Sequence, residues 1–173
     1  MSIFSKTICL LLPLLLYCTG MAGQAKKGEF WSMVNARVSA FSGAEKKHME
    51  LTYTTGYNIT DRFSVGVSLE DAVTLFNLDG KKDHYMSPVA GGMIGYDLVR
   101  HKKTILNVCG GAGATLDNQA WKYVYYDASI GIAHPTGKVV TSVSYGCRYY
   151  DTMGHAFANH CRFYVAVGCL IRI

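Results

Sequence analysis

Residues 50–70 read E-L-T-Y-T-T-G-Y-N-I-T-D-R-F-S-V-G-V-S-L-E. Two runs of alternating polarity flank Thr60-Asp61, the pattern of two antiparallel strands joined by a tight turn. Leu51, Tyr53, Tyr57 and Ile59 share one face of the first strand, and Phe63, Val65, Val67 and Leu69 share one face of the second. The opposite face carries Thr52, Thr54, Gly56 and Asn58, then Ser64, Gly66 and Ser68. In a soluble sheet the polar face holds the Lys and Glu that keep it in water. Here that face holds small, uncharged residues between Glu50 and Glu70, which makes it a poor solvent surface.

The same pattern fills most of the chain. About ten residues of alternating polarity, then turn residues and charges, recur in eight segments, the rhythm of a membrane-spanning barrel strand. The first runs from about Phe30 to Phe41, and the quoted stretch supplies the second and third. The others are near Pro88–Val99, Thr104–Leu116, Val124–Ala133, Val139–Tyr149 and Cys161–Ile173. No stretch has the 3.6-residue period of a long amphipathic helix.

The connections alternate too. Thr60-Asp61, Arg100-His101-Lys102 and His134-Pro135-Thr136-Gly137 are tight, whereas Asp71–Ser87 and Tyr150–His160 read as long polar loops. Short turns on one rim and long loops on the other fit an up-and-down transmembrane barrel. Eight antiparallel strands can close and leave no unpaired edge in oil. An eight-stranded interior is just wide enough for side chains to fill it, so small residues belong inside and the Val, Ile, Leu, Phe and Tyr faces belong in lipid. The expected fold is therefore all-β, an eight-stranded antiparallel transmembrane β-barrel. The Lys pairs 26–27, 46–47, 81–82 and 102–103 fall in the leading segment, loops or turns by this reading.

The first 25 residues have a separate purpose. Lys6, the uncharged run Thr7–Tyr17 and Gly23-Gln24-Ala25 have the order of a secretory signal peptide and its cleavage site. The apolar run is shorter than the ~20 residues of a membrane helix. Domain assignment is then 1–25 signal peptide and 26–173 barrel. Without the signal, 16 Lys and Arg stand against 12 Asp and Glu, a net charge of +4 from the sequence. That balance is too mild to argue for nucleic acid.

These features resemble the small eight-stranded outer-membrane barrels of OmpA and OmpX type, over about residues 29–173. The resemblance implies a bacterial outer membrane, termini on the periplasmic side and loops outside the cell. Family members commonly end in an aromatic residue, whereas this chain ends in Ile173.

By facing, Arg37, Glu50, Glu70, Asp97, Asp127, Arg148 and Arg172 point into the lumen. Glu50, Glu70, Asp127 and Arg148 belong toward the outer end with Arg37 below them, and Asp97 and Arg172 toward the periplasmic end. They can form a paired network that fills the lumen, or a selectivity ring that passes ions. Cys147 and Cys161 flank the last long loop and face each other if its hairpin centres on Gly154. A disulfide and free thiols are both open. Cys109 and Cys169 have opposite facing and are not expected to pair. His48, His84, His155 and His160 fall in loops without metal-ligand spacing, and no Ser-His constellation is visible, so no metal, cofactor or catalytic group is expected. Asn58-Ile59-Thr60 matches a glycosylation pattern by chance. Trp121, Tyr123, Tyr125, Tyr126, Tyr149 and Tyr150 read as an aromatic girdle.

The expected role is structural or surface-interactive. Outer-membrane lipid surrounds a monomer, and an extracellular partner meets the loops near 71–87 and 150–160. The alternatives are a porin-like channel for ions or small solutes, and a soluble periplasmic barrel of lipocalin type that binds a hydrophobic ligand.

Overall fold

A computed structural model describes residues 26–39, 46–78, 81–101, 103–116, 122–153 and 159–173. Eight strands follow in chain order: β1 Phe30–Ser39, β2 Lys46–Asn58, β3 Phe63–Leu78, β4 Lys81–His101, β5 Thr104–Thr115, β6 Val124–Thr136, β7 Val139–Asp151 and β8 His160–Arg172. Each pairs antiparallel with its neighbour in sequence, and β1 pairs with β8 to close the barrel. Closure leaves no sheet edge around the barrel wall.

The alternation in the quoted stretch becomes inside and outside. Val67 and Leu69 are 64% and 60% exposed on the outer wall, whereas Thr54 and Ser68 between them in register are 1% and 8% exposed in the lumen. The same division runs round the barrel, with Ile94, Ile130, Val143, Tyr145, Val165 and Val167 outside. The lipocalin arrangement needs the Gly, Ser and Thr face outward, and the structure turns that face inward.

Three features of the strands differ from the sequence reading. The stretch 71–87 is not a loop: β3 continues to Leu78, β4 begins at Lys81, and the two pair through Leu78↔Lys81. Asp79-Gly80 is a strong two-residue hairpin signal, and hydrogen bonding continues beyond the apolar run. Lys46, Lys47, Lys81 and Lys82 consequently belong to strand ends rather than loops. At the other rim β6 continues through His134 and Pro135 to Thr136, and the turn is Gly137-Lys138. Gly137 has φ of 68°, the left-handed conformation that a side chain resists. In β4 the register slips between Asp97 and Val99. This bulge leaves Leu98 and Val99 both exposed and brings Arg100 onto the lumen side with Asp97.

The small lumenal residues match large ones directly opposite them on the neighbouring strand. A side chain at Gly56 would collide with the indole of Trp31, at Gly113 with the ring of Tyr125, and at Gly146 with the ring of Tyr164. Gly92 faces outward, and the nearest atom to a side chain there would be 3.7 Å away. Gly146→Val is therefore expected to destabilise the barrel by about 1–3 kcal/mol, the usual cost of overfilling a packed interior. Gly92→Ala should leave the urea midpoint nearly unchanged. Equal shifts in the two variants would contradict this packing.

Candidate functional site: the lumen

Strand register brings five of the inward charges into one layer. Arg37 on β1 lies directly opposite Glu50 on β2, so it is level with the carboxylates rather than below them. Asp127 on β6 lies opposite Arg148 on β7 in the same way. Glu70 reaches the layer from β3.

The contacts cross the barrel. Arg37 Nη1 is 3.0 Å from Glu50 Oε2 and 3.5 Å from Glu70 Oε2, and its Nη2 is 3.3 Å from Asp127. Arg148 Nη1 donates to Glu70 Oε1 at 2.6 Å, and its Nη2 and Nε donate to Asp127 Oδ2 at 2.9 and 3.2 Å. Arg148 Nη1 also approaches Glu50 at 3.3 Å. Thr52 donates to Glu70 and Tyr150 donates to Glu50. Arg148 is 1% exposed, so its planar donor fork is held in the lumen rather than in water.

Aromatic rings surround this layer. The Arg148 guanidinium lies 3.7 Å from the ring centre of Tyr125, and that of Arg37 lies 4.3 Å from the ring of Tyr164. Tyr123 meets Tyr150 edge-on, and Tyr150 stacks with His160. Tyr123, Tyr125 and Tyr150 are buried, which removes them from the aromatic girdle. Parity explains the change, because Tyr123 and Tyr125 share the face of Asp127, and Tyr150 shares that of Arg148. Tyr126 and Tyr149 remain outside, and Trp121 lies outside the described residues.

Arg162 is a lumenal residue that the sequence reading did not single out. It is directly opposite Arg148 in register and lies 5.7 Å from the ring centre of Tyr150. It is 5% exposed, and its Nε and Nη1 have no hydrogen-bond partner among the described residues. Its even position on β8, shared with Tyr164 and Arg172, was the available signal.

Asp97 and Arg172 do not join the five. Asp97 accepts from Arg100 Nη2 at 2.6 Å and Nε at 2.9 Å, and both line a second cavity with Arg172 near the end where the described chain begins and stops. The lumen holds one cavity of about 90 Å³ beside the charged layer and one of about 110 Å³ toward that end.

On the outer wall, the Sγ atoms of Cys147 and Cys161 are bonded. The pair is diagonal rather than directly opposite: Cys147 faces Phe163 and Cys161 faces Tyr149 in register, because the hairpin centres one residue beyond Gly154. Cys109 faces the lumen, whereas Cys169 shares the outward face of Val167 and Ile171 on β8. Among the described residues no three His, Cys, Asp or Glu side chains come together to hold a metal. His155 and the side chains of His48 and His84 lie outside the described residues.

No protein-family model matches the chain, and no curated protein matches it in sequence. Solved structures do match its shape. The crystal structure of Neisserial surface protein A (NspA) superposes with a TM-score of 0.58 at 12% identity, over 83% of this chain and 97% of that one. A de novo designed transmembrane β-barrel superposes with a TM-score of 0.52 at 13% identity, over 88% of this chain and all of the design. The fold is that of transmembrane β-barrels. At these identities the likeness concerns the strand architecture alone.

Two outcomes are expected from this geometry. Arg148→Met leaves Glu50, Glu70 and Asp127 to share Arg37 and should cost about 3–5 kcal/mol, and adding Glu70→Gln should recover part of that loss. Replacing Cys147 and Cys161 together by Ser, which opens a cross-link between residues 14 apart in sequence, should cost about 3 kcal/mol. Urea unfolding of the refolded barrel reads both, and unchanged midpoints would contradict them.

Proposed function

We propose that this chain is an outer-membrane β-barrel with a structural or surface-interaction role, its lumen closed by the Arg37–Glu50–Glu70–Asp127–Arg148 layer. The observation that carries the reading is the outer wall. Apolar side chains cover its middle on every strand, including Val38, Tyr53, Val67, Ile94, Val143 and Val167, and water would solvate none of them well. Lipid is the solvent that suits such a wall, and a closed sheet is one of the two forms a spanning chain can take.

The remaining parts follow from that placement. The leading segment 1–25 is the cleaved signal peptide, and the turns at 59–62, 103 and 137–138 face the periplasm with the termini. The connections between β1 and β2, β5 and β6, and β7 and β8 face the exterior, together with the projecting end of the β3–β4 hairpin. These outward segments would meet an extracellular partner, and the barrel itself stays monomeric. The fold shared with NspA supports a bacterial outer membrane as its location. With five ion-paired side chains and four tyrosines across the lumen, the barrel acts as a scaffold rather than as a channel or an enzyme.

The test is a fractionated cell expressing the full chain, with the membrane fraction run in detergent gels before and after boiling. A heat-dependent change of mobility in the outer-membrane fraction is the expected result. One unchanging band in the soluble periplasmic fraction would overturn the reading. Val143→Arg on the outer wall should weaken folding into bilayers by about 2–4 kcal/mol. Purified barrel should give no sustained single-channel steps, and steps altered by changing Arg37 or Arg148 would establish the channel instead.

A further inference from the structure

The two lumenal cavities share five wall residues: Met33, Met93, Asn107, Cys109 and Ser142. These mark a waist between the charged layer and the end where the termini lie. Three of the five carry sulfur. Every other sulfur-bearing side chain among the described residues is elsewhere: Met49, Met86, Cys147, Cys161 and Cys169 sit at outward strand positions, and Met153 is exposed beyond β7. The lumen therefore collects its soft donors at one level.

Local geometry brings two of them together. Met93 and Cys109 lie on neighbouring strands, with Gly95 directly opposite Cys109 and Gly111 directly opposite Met93. A Cβ at Gly95 would collide with Ser64 Oγ at 2.7 Å and would touch Cys109 Sγ at 3.6 Å and the Met93 methyl at 4.0 Å, so both sulfur side chains border the same small space. Met33 approaches the same waist from β1. No Asp, Glu, Lys or Arg is among the five shared residues.

We propose that the waist is a binding site for a soft monovalent metal ion, Cu(I) or its analogue Ag(I), held by the Cys109 thiolate and the thioethers of Met93 and Met33. Thiolate and thioether sulfur select Cu(I) over harder ions. Charge supports the monovalent ion. Cys109 loses its thiol proton to solvent as the S–metal bond forms, so one thiolate and one monovalent cation make a neutral unit in a buried place. A divalent ion with the same donors would leave a net positive charge there, which burial opposes. No oxidation state changes in this step.

The test titrates the refolded full barrel, its Cys147–Cys161 disulfide intact, anaerobically with Cu(I) against a colorimetric Cu(I) chelator, with Ag(I) as a redox-inert check. One equivalent per chain is expected, with an X-ray absorption spectrum showing a sulfur-only first shell. Cys109→Ser should abolish that equivalent, and Met93→Leu and Met33→Leu should each weaken it on the order of tenfold. Cys169→Ser should leave it unchanged. Heat-dependent gel mobility verifies that each variant is folded; should Cys109→Ser fail to fold, the two methionine variants and the absorption spectrum decide. Absence of binding by the unmodified chain would overturn the proposal. So would an equivalent that survives Cys109→Ser, or one indifferent to both methionine changes, which would describe a lone reactive thiol.

Discussion

Closure is the constraint on which the structure depends. A backbone in oil has no water to satisfy its N–H and C=O groups, and a sheet meets that demand only by pairing its first strand with its last. Here β1 pairs with β8 from Trp31↔Arg172 to Ser39↔Tyr164. Once the ring is closed, the two-residue period of each strand sends every second side chain inward. Eight strands enclose little space, so the lumen must be composed residue by residue. Glycine at 56, 113 and 146 and large rings at Trp31, Tyr125 and Tyr164 are two halves of one solution.

The charged layer follows from the same confinement. Glu50, Glu70 and Asp127 could not be held out of water alone, and Arg37 and Arg148 each contact all three. Buried ion pairs seldom add much net stability over an apolar filling, because both partners lose hydration. Their value here is geometric. They tie β1, β2, β3, β6 and β7 together across the lumen, and tyrosine rings close over both guanidinium groups.

The sequence shows some of this plainly and hides the rest for physical reasons. Facing is legible because period-two alternation survives wherever one side of a strand faces outward and the other the lumen, as Val67 and Ser68 illustrate. Strand ends are less legible, because apolar patterning stops while hydrogen bonding continues, as in β3 beyond Leu69 and β4 before Pro88. Asp79-Gly80 carried the turn signal in a stretch that reads as a polar loop. The tyrosines divide by parity rather than by residue type, which is why Tyr125 is inside and Tyr126 outside. Contacts across the lumen depend on register between strands far apart in sequence, such as Glu70 with Arg148, and no local pattern encodes them. The diagonal of Cys147 and Cys161 likewise turns on a one-residue shift of the hairpin centre.

The central claim is that the apolar face of every strand meets lipid and the opposite face does not. Methyl NMR of the barrel in lipid nanodiscs tests it without altering a residue. Val65, Val67, Leu69, Val143, Val165 and Val167 should show cross-peaks to lipid acyl chains, and Val89, Ile105 and Val140, buried in the lumen, should show none. Acyl-chain cross-peaks at the lumenal methyl groups, with water contacts at the outer ones, would contradict the account.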